Sequence, residues 1–259
     1  MRRIIVDGDF IAYRCAASCE PTKTRLVREE RFVALGRAND LCNRIGDSTQ
    51  AEEYRIFLGG SGNFRRMLDP NYKANRVHQP KPLHLDAVRD HMVRKWGAEI
   101  ITANYEADDR IAMEAARSPE SLIVSIDKDL RQITGEHYNP VKDIYEVVDS
   151  EQAEINLYIS MLVGDASDNL RGIDGLGPVK AGRALSGCTA KEAYLETARI
   201  YEEHGRDFLF ALRMFRLLRS EEEYQEVMNE IEQRKSEGEK LAEVGEGPVP
   251  EALSEVDTE

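Results

Sequence analysis

Short apolar runs rich in β-branched residues alternate with longer amphipathic segments over the first 150 residues of the chain. The runs predict buried strands of a mostly parallel sheet at residues 4–6, 54–58, 100–102 and 122–126. Helical spacing is found between them at residues 31–45, 84–96 and 107–117. This alternation predicts an α/β fold in which helices flank a central sheet.

The pattern becomes helical from Ser150 onward. Helices are predicted over residues 151–163, 180–185, 190–204 and 207–218. A further helix is predicted from Glu221 to Lys235, whereas residues 238–259 hold few apolar and many glutamate residues and are predicted to be disordered. These patterns divide the chain into an α/β domain (1–149), a helical region (150–220) and an acidic tail (221–259).

The hydrophobic content of 41% is sufficient for a sizeable core in a chain of 259 residues. No apolar run approaches the ~20 residues of a membrane span. The N-terminus reaches Asp7 before an apolar signal core can form. These features predict a globular, cytoplasmic protein with no membrane partner.

The net charge of −13 is concentrated in the tail, which changes what it implies about partners. Residues 219–259 hold 14 acidic and four basic residues, which leaves 34 acids and 31 bases over residues 1–218. Within residues 55–95 there are nine basic and three acidic residues. A concentration of positive charge suits phosphate binding, so the acidic balance does not exclude DNA as a partner.

Carboxylates follow three of the four predicted strands: Asp7 after the first, Glu106, Asp108 and Asp109 after the third, and Asp127 and Asp129 after the fourth. Because the carboxyl ends of parallel strands meet at one edge of a sheet, we expect these acids to converge. Each group also has a simpler interpretation. On this interpretation, the second group complements a helix N-terminus and the third forms a turn, while Asp7 and Asp9 form either a turn or the nucleophile pair of an aspartate-based phosphatase.

Two further acids, Asp165 and Asp168, lead into a glycine-rich segment. Gly175 and Gly177 let backbone N–H groups approach a phosphate, although such a turn is also a common helix connector. Joined to the acids, the segment predicts metal-dependent phosphodiester chemistry, because cations offset the charge of the diester. Oxygen ligands without histidine favour Mg²⁺, and this many carboxylates suit two ions about 4 Å apart.

These motifs together resemble the 5′-nuclease family, which includes flap endonucleases, the 5′-nuclease domains of bacterial DNA polymerases and stand-alone phage exonucleases. The resemblance rests on Ile5–Gly8, Tyr72–Arg76, Glu106–Asp109, Ser125–Asp129 and residues 164–181, in the family's order over roughly residues 1–220. The stand-alone phage type is the most similar, since no polymerase domain follows. The resemblance implies a PIN-like α/β domain followed by a helix-three-turn-helix motif at 164–181 that grips duplex DNA.

The resemblance also implies roles for individual residues. Ligands of a first metal ion are Asp7, Glu106 and Asp108; ligands of a second are Asp127, Asp129 and Asp165, with Asp109 and Asp168 assisting. The catalytic basic pair at the scissile phosphate is Lys73 and Arg76. DNA contacts are implied for Arg14, Arg171, Gly172, Gly175, Gly177 and Lys180, and for Tyr72 if it is a stacking platform and not a core residue. Asp9 is predicted to cap the following helix.

One position departs from the family pattern. Many members carry an Asp in the turn after the second strand, where this chain has Gly59 and Gly60. The resemblance therefore implies one protein ligand fewer at the first metal ion.

The activity implied is a divalent-metal-dependent 5′→3′ exonuclease with flap endonuclease activity, which leaves 5′-phosphate and 3′-hydroxyl ends. Two Mg²⁺ ions, replaceable by Mn²⁺, are the implied cofactors, with K⁺ as a further ion in the helix-three-turn-helix. The substrate is DNA with a 5′ end or flap, RNA in an RNA·DNA hybrid is left open, and the protein is expected to be a monomer. The alternatives are a PIN-type ribonuclease, the aspartate-based phosphatase, and a structure-specific DNA-binding protein without activity.

Overall fold

A six-stranded sheet organises the first 150 residues in the computed structural model, which describes the backbone of residues 2–245 and the side chains of residues 2–234. The strand order is β3-β2-β1-β4-β5-β6. The strands are β1 Arg3–Asp7, β2 Glu53–Leu58, β3 Glu99–Ile100, β4 Leu122–Val124, β5 Gly135–Asn139 and β6 Ile144–Val148. All neighbouring pairs are parallel except β5 with β6. The predicted mostly parallel sheet is confirmed.

The central strands β1 and β4 are buried on both faces, as their continuous apolar sequences require. Val6 lies beside Ile56 of β2 and Val124 of β4. Asp7, the turn after Leu58 and the segment after Val124 therefore leave the sheet side by side at one edge. This register positions the acids that the sequence placed after separate strands.

Helices cover both faces of the sheet. The first core cluster packs β1, β2 and β4 against helices α1 Gly8–Ala17, α2 Arg31–Thr49 and α4 Leu85–Trp96. The second cluster, on the opposite face, packs the same strands against α3 Phe64–Leu68, α5 Ala107–Arg117 and the start of α10 Glu221–Gly245. The flanking helices of the predicted α/β architecture are thus confirmed.

A third core cluster holds the helical half of the chain together. Its elements are α6 Ser150–Val163, α7 Pro178–Ala184, α8 Ala190–Glu203 and α9 Phe208–Phe215. Between α6 and α7 lies a two-stranded ribbon of β7 Gly164–Asp165 and β8 Leu170–Arg171. The buried Tyr72, from the first half of the chain, packs into this cluster.

Some predicted elements differ from the structure. The hairpin of β5 and β6 is absent from the sequence prediction, since β5 is interrupted by polar residues and β6 is an exposed edge strand. Helix α9 ends at Phe215 and not at Leu218, because the backbone of Arg216 is extended.

The tail prediction also needs a correction. Helix α10 continues to Gly245, so the disorder predicted from Gly238 is wrong as far as that residue. Residues 246–259, for which disorder was also predicted, lie outside the described residues. No helix within residues 2–245 has the length and apolar character needed to cross a membrane.

The ribbon depends on close contact between two glycines. A Cβ added to Gly172 would lie 2.3 Å from the backbone nitrogen of Gly164, whose φ is +79°. We expect Gly172→Ala to lower the free energy of unfolding by about 1–3 kcal/mol, since backbone atoms cannot move aside without distorting the ribbon. Urea denaturation measures the change.

Gly182→Ala is the matched control for this prediction. Gly182 lies inside α7, and a Cβ there meets nothing within 4 Å. Alanine should be neutral or stabilise the helix by up to about 1 kcal/mol. Equal effects of the two substitutions would contradict the proposed close packing at Gly172.

Candidate active site

A cleft of about 1260 Å³ opens at the carboxyl ends of β1, β2 and β4. Seven of the eight predicted metal ligands line it: Asp7, Glu106, Asp108, Asp127, Asp129, Asp165 and Asp168. The predicted basic pair, Lys73 and Arg76, lines it too. The convergence expected from the strand order is therefore present in the structure.

Asp7 ends β1 and caps helix α1. Its Oδ1 accepts hydrogen bonds from the backbone N–H groups of Asp9 (3.1 Å) and Phe10 (3.4 Å), and the Ser125 hydroxyl donates to Oδ2 at 2.8 Å. Burial raises the pKa of Asp7 to about 7, with the charges of Asp9 and Asp127 adding to the effect and Ser125 opposing it. The folded protein therefore resists ionising this group.

The prediction that Asp9 caps α1 is wrong, because Asp7 fills that position. The Asp9 carboxylate instead pairs with Arg89 and accepts a hydrogen bond from the backbone N–H of Gly59 at 2.7 Å. Asp9 thus fastens the turn after β2 to α1.

Glu106 and Asp108 lie at the start of α5 and have opposite electrostatic surroundings. Burial alone would raise the pKa of Glu106, but Lys73 and Arg65 lower it below its usual value. The pKa of Asp108 is raised well above its usual value by burial and by the charges of Asp7 and Asp127. Asp108 is thus an acid held among other acids.

Asp109 differs from its predicted role. Its side chain is fully buried outside the cleft, and its two oxygens accept from both terminal nitrogens of Arg65 at 2.7 and 2.9 Å. It also accepts from the backbone N–H groups of Leu218 (3.0 Å) and Glu106 (3.1 Å). With its oxygens occupied in this way, Asp109 is a structural residue and does not face the cleft.

Asp127 and Asp129, which follow β4, lie near Asp165, which ends β7 of the ribbon. Burial and the charge of Asp127 raise the pKa of Asp129 to about 6. Asp165 behaves differently: burial would raise its pKa, but the Ser167 hydroxyl and Lys128, whose Nζ is 3.2 Å from Oδ2, lower it. Lys128 and Ser167 were not predicted, and neither lies in a pattern that distinguishes it from other polar residues.

Lys73 and Arg76 reach into the cleft from a short 3₁₀ turn. The Lys73 Nζ pairs with Glu106 and lies 3.4 Å from Asp168 Oδ2, and Arg76 pairs with Asp168. Although burial would lower it, these acids raise the pKa of Lys73, so the ammonium stays charged. Lys73 therefore connects Glu106 at the start of α5 with Asp168 of the ribbon turn, and Arg76 contacts the same Asp168.

Tyr72 is not a stacking platform. Only 3% of its surface is exposed, and its hydroxyl lies 2.7 Å from Glu106 Oε2 and 3.0 Å from Asp168 Oδ2. Of the two roles left open by the sequence, the structure supports the core residue.

Arg14 is not brought into the cleft. It lines a separate hollow of about 450 Å³ between α1 and α2, together with Arg37 and Arg44. Its neighbour Tyr13 lines the cleft instead. Successive residues of a helix point about 100° apart, so one position along α1 separates the two surfaces.

The glycine-rich segment lines another hollow, of about 580 Å³, next to the ribbon. Gly175 has a φ of +81°, and Lys180 Nζ donates to the Gly175 carbonyl at 3.0 Å. Arg171 is exposed and pairs with Asp174, whereas Gly172 is buried and Gly177 precedes α7 as its N-cap. The segment thus presents backbone groups and two cationic side chains to solvent.

Gly60, in the turn after β2, is required by close packing. A Cβ at Gly60 would lie 1.7 Å from the Ile101 carbonyl oxygen, so no acid fits there with this backbone. The substitution that the sequence showed as a departure is therefore built into the fold.

The donor chemistry of the cleft fits a hard divalent cation. The described residues lining it include carboxylates and hydroxyls but no histidine or cysteine. Within residues 2–234, however, no three potential ligands are gathered closely enough to hold an ion as they stand. Several of the acids are instead paired with Lys73, Arg76 and Lys128.

Residues 2–158 match the model of the family described as 5′-3′ exonuclease, N-terminal resolvase-like domain. DNA polymerase I of Deinococcus radiodurans is 25% identical over 209 residues, which cover 75% of this chain and 22% of the polymerase. Flap endonuclease Xni of Shewanella baltica (strain OS223) is 32% identical over 145 residues, which cover 50% of this chain and 55% of the endonuclease. The chain thus spans about a fifth of the one relative and about half of the other.

The fold is similar to that of a bacteriophage T5 flap endonuclease solved as a pseudo-enzyme-product complex with DNA and metal ions. The TM-score is 0.63 at 15% identity, over 84% of this chain and 89% of that one. At this identity the likeness concerns the fold alone.

The raised pKa of Asp108 has a consequence for stability. We expect Asp108→Asn to raise the free energy of unfolding by about 1 kcal/mol at pH 8 in EDTA, because it removes a charge that the folded protein disfavours. The gain should shrink as the pH falls, since protonation of the folded acid relieves the same repulsion. Urea denaturation at several pH values measures it.

Asp90→Asn is the control, because Asp90 is exposed on α4 away from the cleft. It should change the free energy of unfolding by less than about 0.5 kcal/mol. A destabilised Asp108→Asn variant would show that the carboxylate stabilises the fold after all.

Proposed function

This chain belongs to the 5′-3′ exonuclease family with an N-terminal resolvase-like domain, as its motifs predicted, and on that premise we propose that it is a divalent-metal-dependent 5′→3′ exonuclease with flap endonuclease activity. The observation that carries the proposal is the convergence of seven of the predicted carboxylates and the predicted basic pair in one cleft. Its substrate is DNA with a 5′ end or flap. Hydrolysis leaves a 5′-phosphate and a 3′-hydroxyl.

The acids divide into two groups that suit two ions. Asp7, Glu106 and Asp108 would hold one Mg²⁺, and Asp127, Asp129 and Asp165 the other, with Asp168 assisting. When bound, such ions activate water, hold the phosphate and stabilise the leaving oxygen. The raised pKa values of Asp7, Asp108 and Asp129 support this role, because acids crowded at the expense of stability are typical of functional sites. Mn²⁺ has similar ligand preferences and is the expected substitute.

Lys73 and Arg76 would hold the scissile phosphate. Both are paired with acids of the cleft, and both become available to an anion when a divalent ion takes their place. Lys73 stays charged, so it can offset the negative charge that the diester gains during attack. Arg76 is about half-exposed and offers a planar fork of donors to phosphate oxygens.

Residues 164–181 would grip the duplex as a helix-three-turn-helix. The ribbon and the turn at Gly175 line one hollow together with Arg171, and Lys180 is exposed on α7. Contacts of this kind reach phosphates and not bases, so we propose binding without sequence readout. The turn carbonyls would hold K⁺.

The remaining parts of the proposal follow the sequence. The α/β domain (1–149) carries the chemistry, residues 150–220 bind DNA, and the acidic tail is a spacer or a partner-binding segment. We propose a cytoplasmic monomer that also accepts an RNA·DNA hybrid. Product sizing on a flap with an RNA or a DNA 5′ strand, with and without Mg²⁺, tests the substrate. Cleavage of single-stranded RNA alone would favour the ribonuclease alternative.

The assignment of the metal ligands predicts a separation of binding from cleavage. Asp127→Asn and Asp165→Asn should each lower the cleavage rate of a fluorescent 5′-flap substrate by about 100-fold or more, since each removes a charged ligand. Their affinity for the flap in EDTA should stay within about twofold of wild type. Asp90→Asn serves as the control, and undiminished hydrolysis by the cleft variants would refute the assignment.

A second test asks whether Lys73 acts on the phosphate under attack or only attracts the DNA at long range. Lys73→Ala should lower kcat about tenfold or more with little change in KM, because the ammonium acts on the phosphate under attack. Arg66→Ala, on an exposed cleft residue of α3, should alter only the affinity and its salt dependence. If the two variants behave alike, Lys73 acts by long-range attraction only.

A further inference from the structure

The Tyr72 hydroxyl touches one carboxylate from each half of the cleft. Glu106 belongs to the start of α5, and Asp168 to the turn between β7 and β8. Their oxygens Oε2 and Oδ2 lie 2.7 and 3.0 Å from the Tyr72 hydroxyl. Two like charges from distant segments of the chain are thus gathered around one neutral group.

The phenol is a donor at neutral pH. A tyrosine hydroxyl has an ordinary pKa of about 10, so its proton remains on the oxygen at neutral pH. A hydroxyl has a single hydrogen, which serves one carboxylate at a time. Such a hydrogen bond to a charged group is about twice as strong as one between neutral groups.

Tyr72 and Lys73 both contact Glu106 and Asp168, and Tyr72 is the more rigid of the two. Lys73 contacts the same two carboxylates, but its flexible ammonium is the group that the proposed reaction directs to phosphate. The Tyr72 ring is packed in the third core cluster, which contains Leu157 and Met161. Its oxygen therefore keeps its place when Lys73 moves away.

We propose that Tyr72 is a positioning residue that sets the distance between the two halves of the metal site, because Glu106 and Asp168 share the single hydrogen of one fixed hydroxyl. The inference rests on the proposed function, since it concerns the ligands of the same ions. Groups that orient metal ligands from behind typically affect metal affinity 10–100-fold when removed. Without the hydroxyl, Glu106 and Asp168 repel each other and the preformed spacing is lost.

The test is Tyr72→Phe, which removes the hydroxyl and keeps the ring. We expect the variant to need about tenfold or more Mg²⁺ to reach half of its thermal stabilisation in the absence of DNA. Its affinity for a 5′-flap substrate in EDTA should match wild type. The same rise should appear in the Mg²⁺ concentration that gives half-maximal cleavage.

Tyr158→Phe is the matched control. Tyr158 is also buried, at 4% exposure, and its hydroxyl donates to Glu154 Oε2 at 3.1 Å, outside the cleft. Both variants lose a buried hydrogen bond and should lose similar stability without metal. Only Tyr72→Phe should change the Mg²⁺ dependence.

Replacement of Tyr72 by 4-aminophenylalanine provides a rescue, because it restores an N–H donor at the same place. The Mg²⁺ dependence should return to within about threefold of wild type. The inference is overturned if Tyr72→Phe and Tyr158→Phe share the wild-type Mg²⁺ dependence, or if the amino variant folds without rescue. If wild type itself shows neither Mg²⁺ stabilisation nor cleavage, the proposed function fails instead.

Discussion

The buried ion pair between Arg65 and Asp109 connects helices α3 and α5 of the α/β domain with the end of α9, and the start of α5 carries acids of the cleft. Arg65 also donates to the carbonyls of Met214 and Arg216, while Asp109 accepts from the N–H of Leu218. The pair thus ties α3 and α5 to the segment that follows the helical half. Removing one member of such a pair leaves an uncompensated buried charge and typically costs about 3–5 kcal/mol. The start of α5, and Glu106 with it, depends on this arrangement.

The acids of the cleft lower the stability of the fold, and packing in the core offsets this loss. Three acids there have raised pKa values, because burial and neighbouring charges disfavour their ionised forms. Lys73, Arg76 and Lys128 offset part of the repulsion. The same ion pairs occupy carboxylate oxygens that a divalent cation would need. The clustering of acids that suits a divalent cation therefore lowers the stability of the metal-free protein.

The sequence predicted the strands, which appear as continuous apolar runs, but it did not show to which side individual side chains point. The strands β1, β2 and β4 were visible as apolar runs, and their shared edge followed from parallel pairing. Asp108 and Asp109, by contrast, are adjacent acids on one helix turn, and only the packing of Arg65 shows which of them faces the cleft. Arg14 was misplaced and the role of Tyr72 was left open for the same reason, since a motif gives a position along the chain but not the side to which a residue points.

Contacts between distant segments were also beyond the sequence. Arg65 meets Met214 across 149 positions, and no local pattern marks either residue as a partner. The edge hairpin of β5 and β6 escaped prediction because its strands lack the apolar run or strict alternation that marks a strand.

The turn after β2 constrains how this lineage can change. At Gly60 the Ile101 carbonyl blocks any side chain, whereas at Gly59 the obstacle is the Asp9 carboxylate, 2.8 Å from an added Cβ. Of these two glycines, only Gly59 can therefore accept a side chain on this backbone, and the Asp9 carboxylate must shift to make room for it. That shift would take Asp9 from the backbone N–H of Gly59 and from Arg89, so a substitution at Gly59 is coupled to the contacts that join the turn to α1.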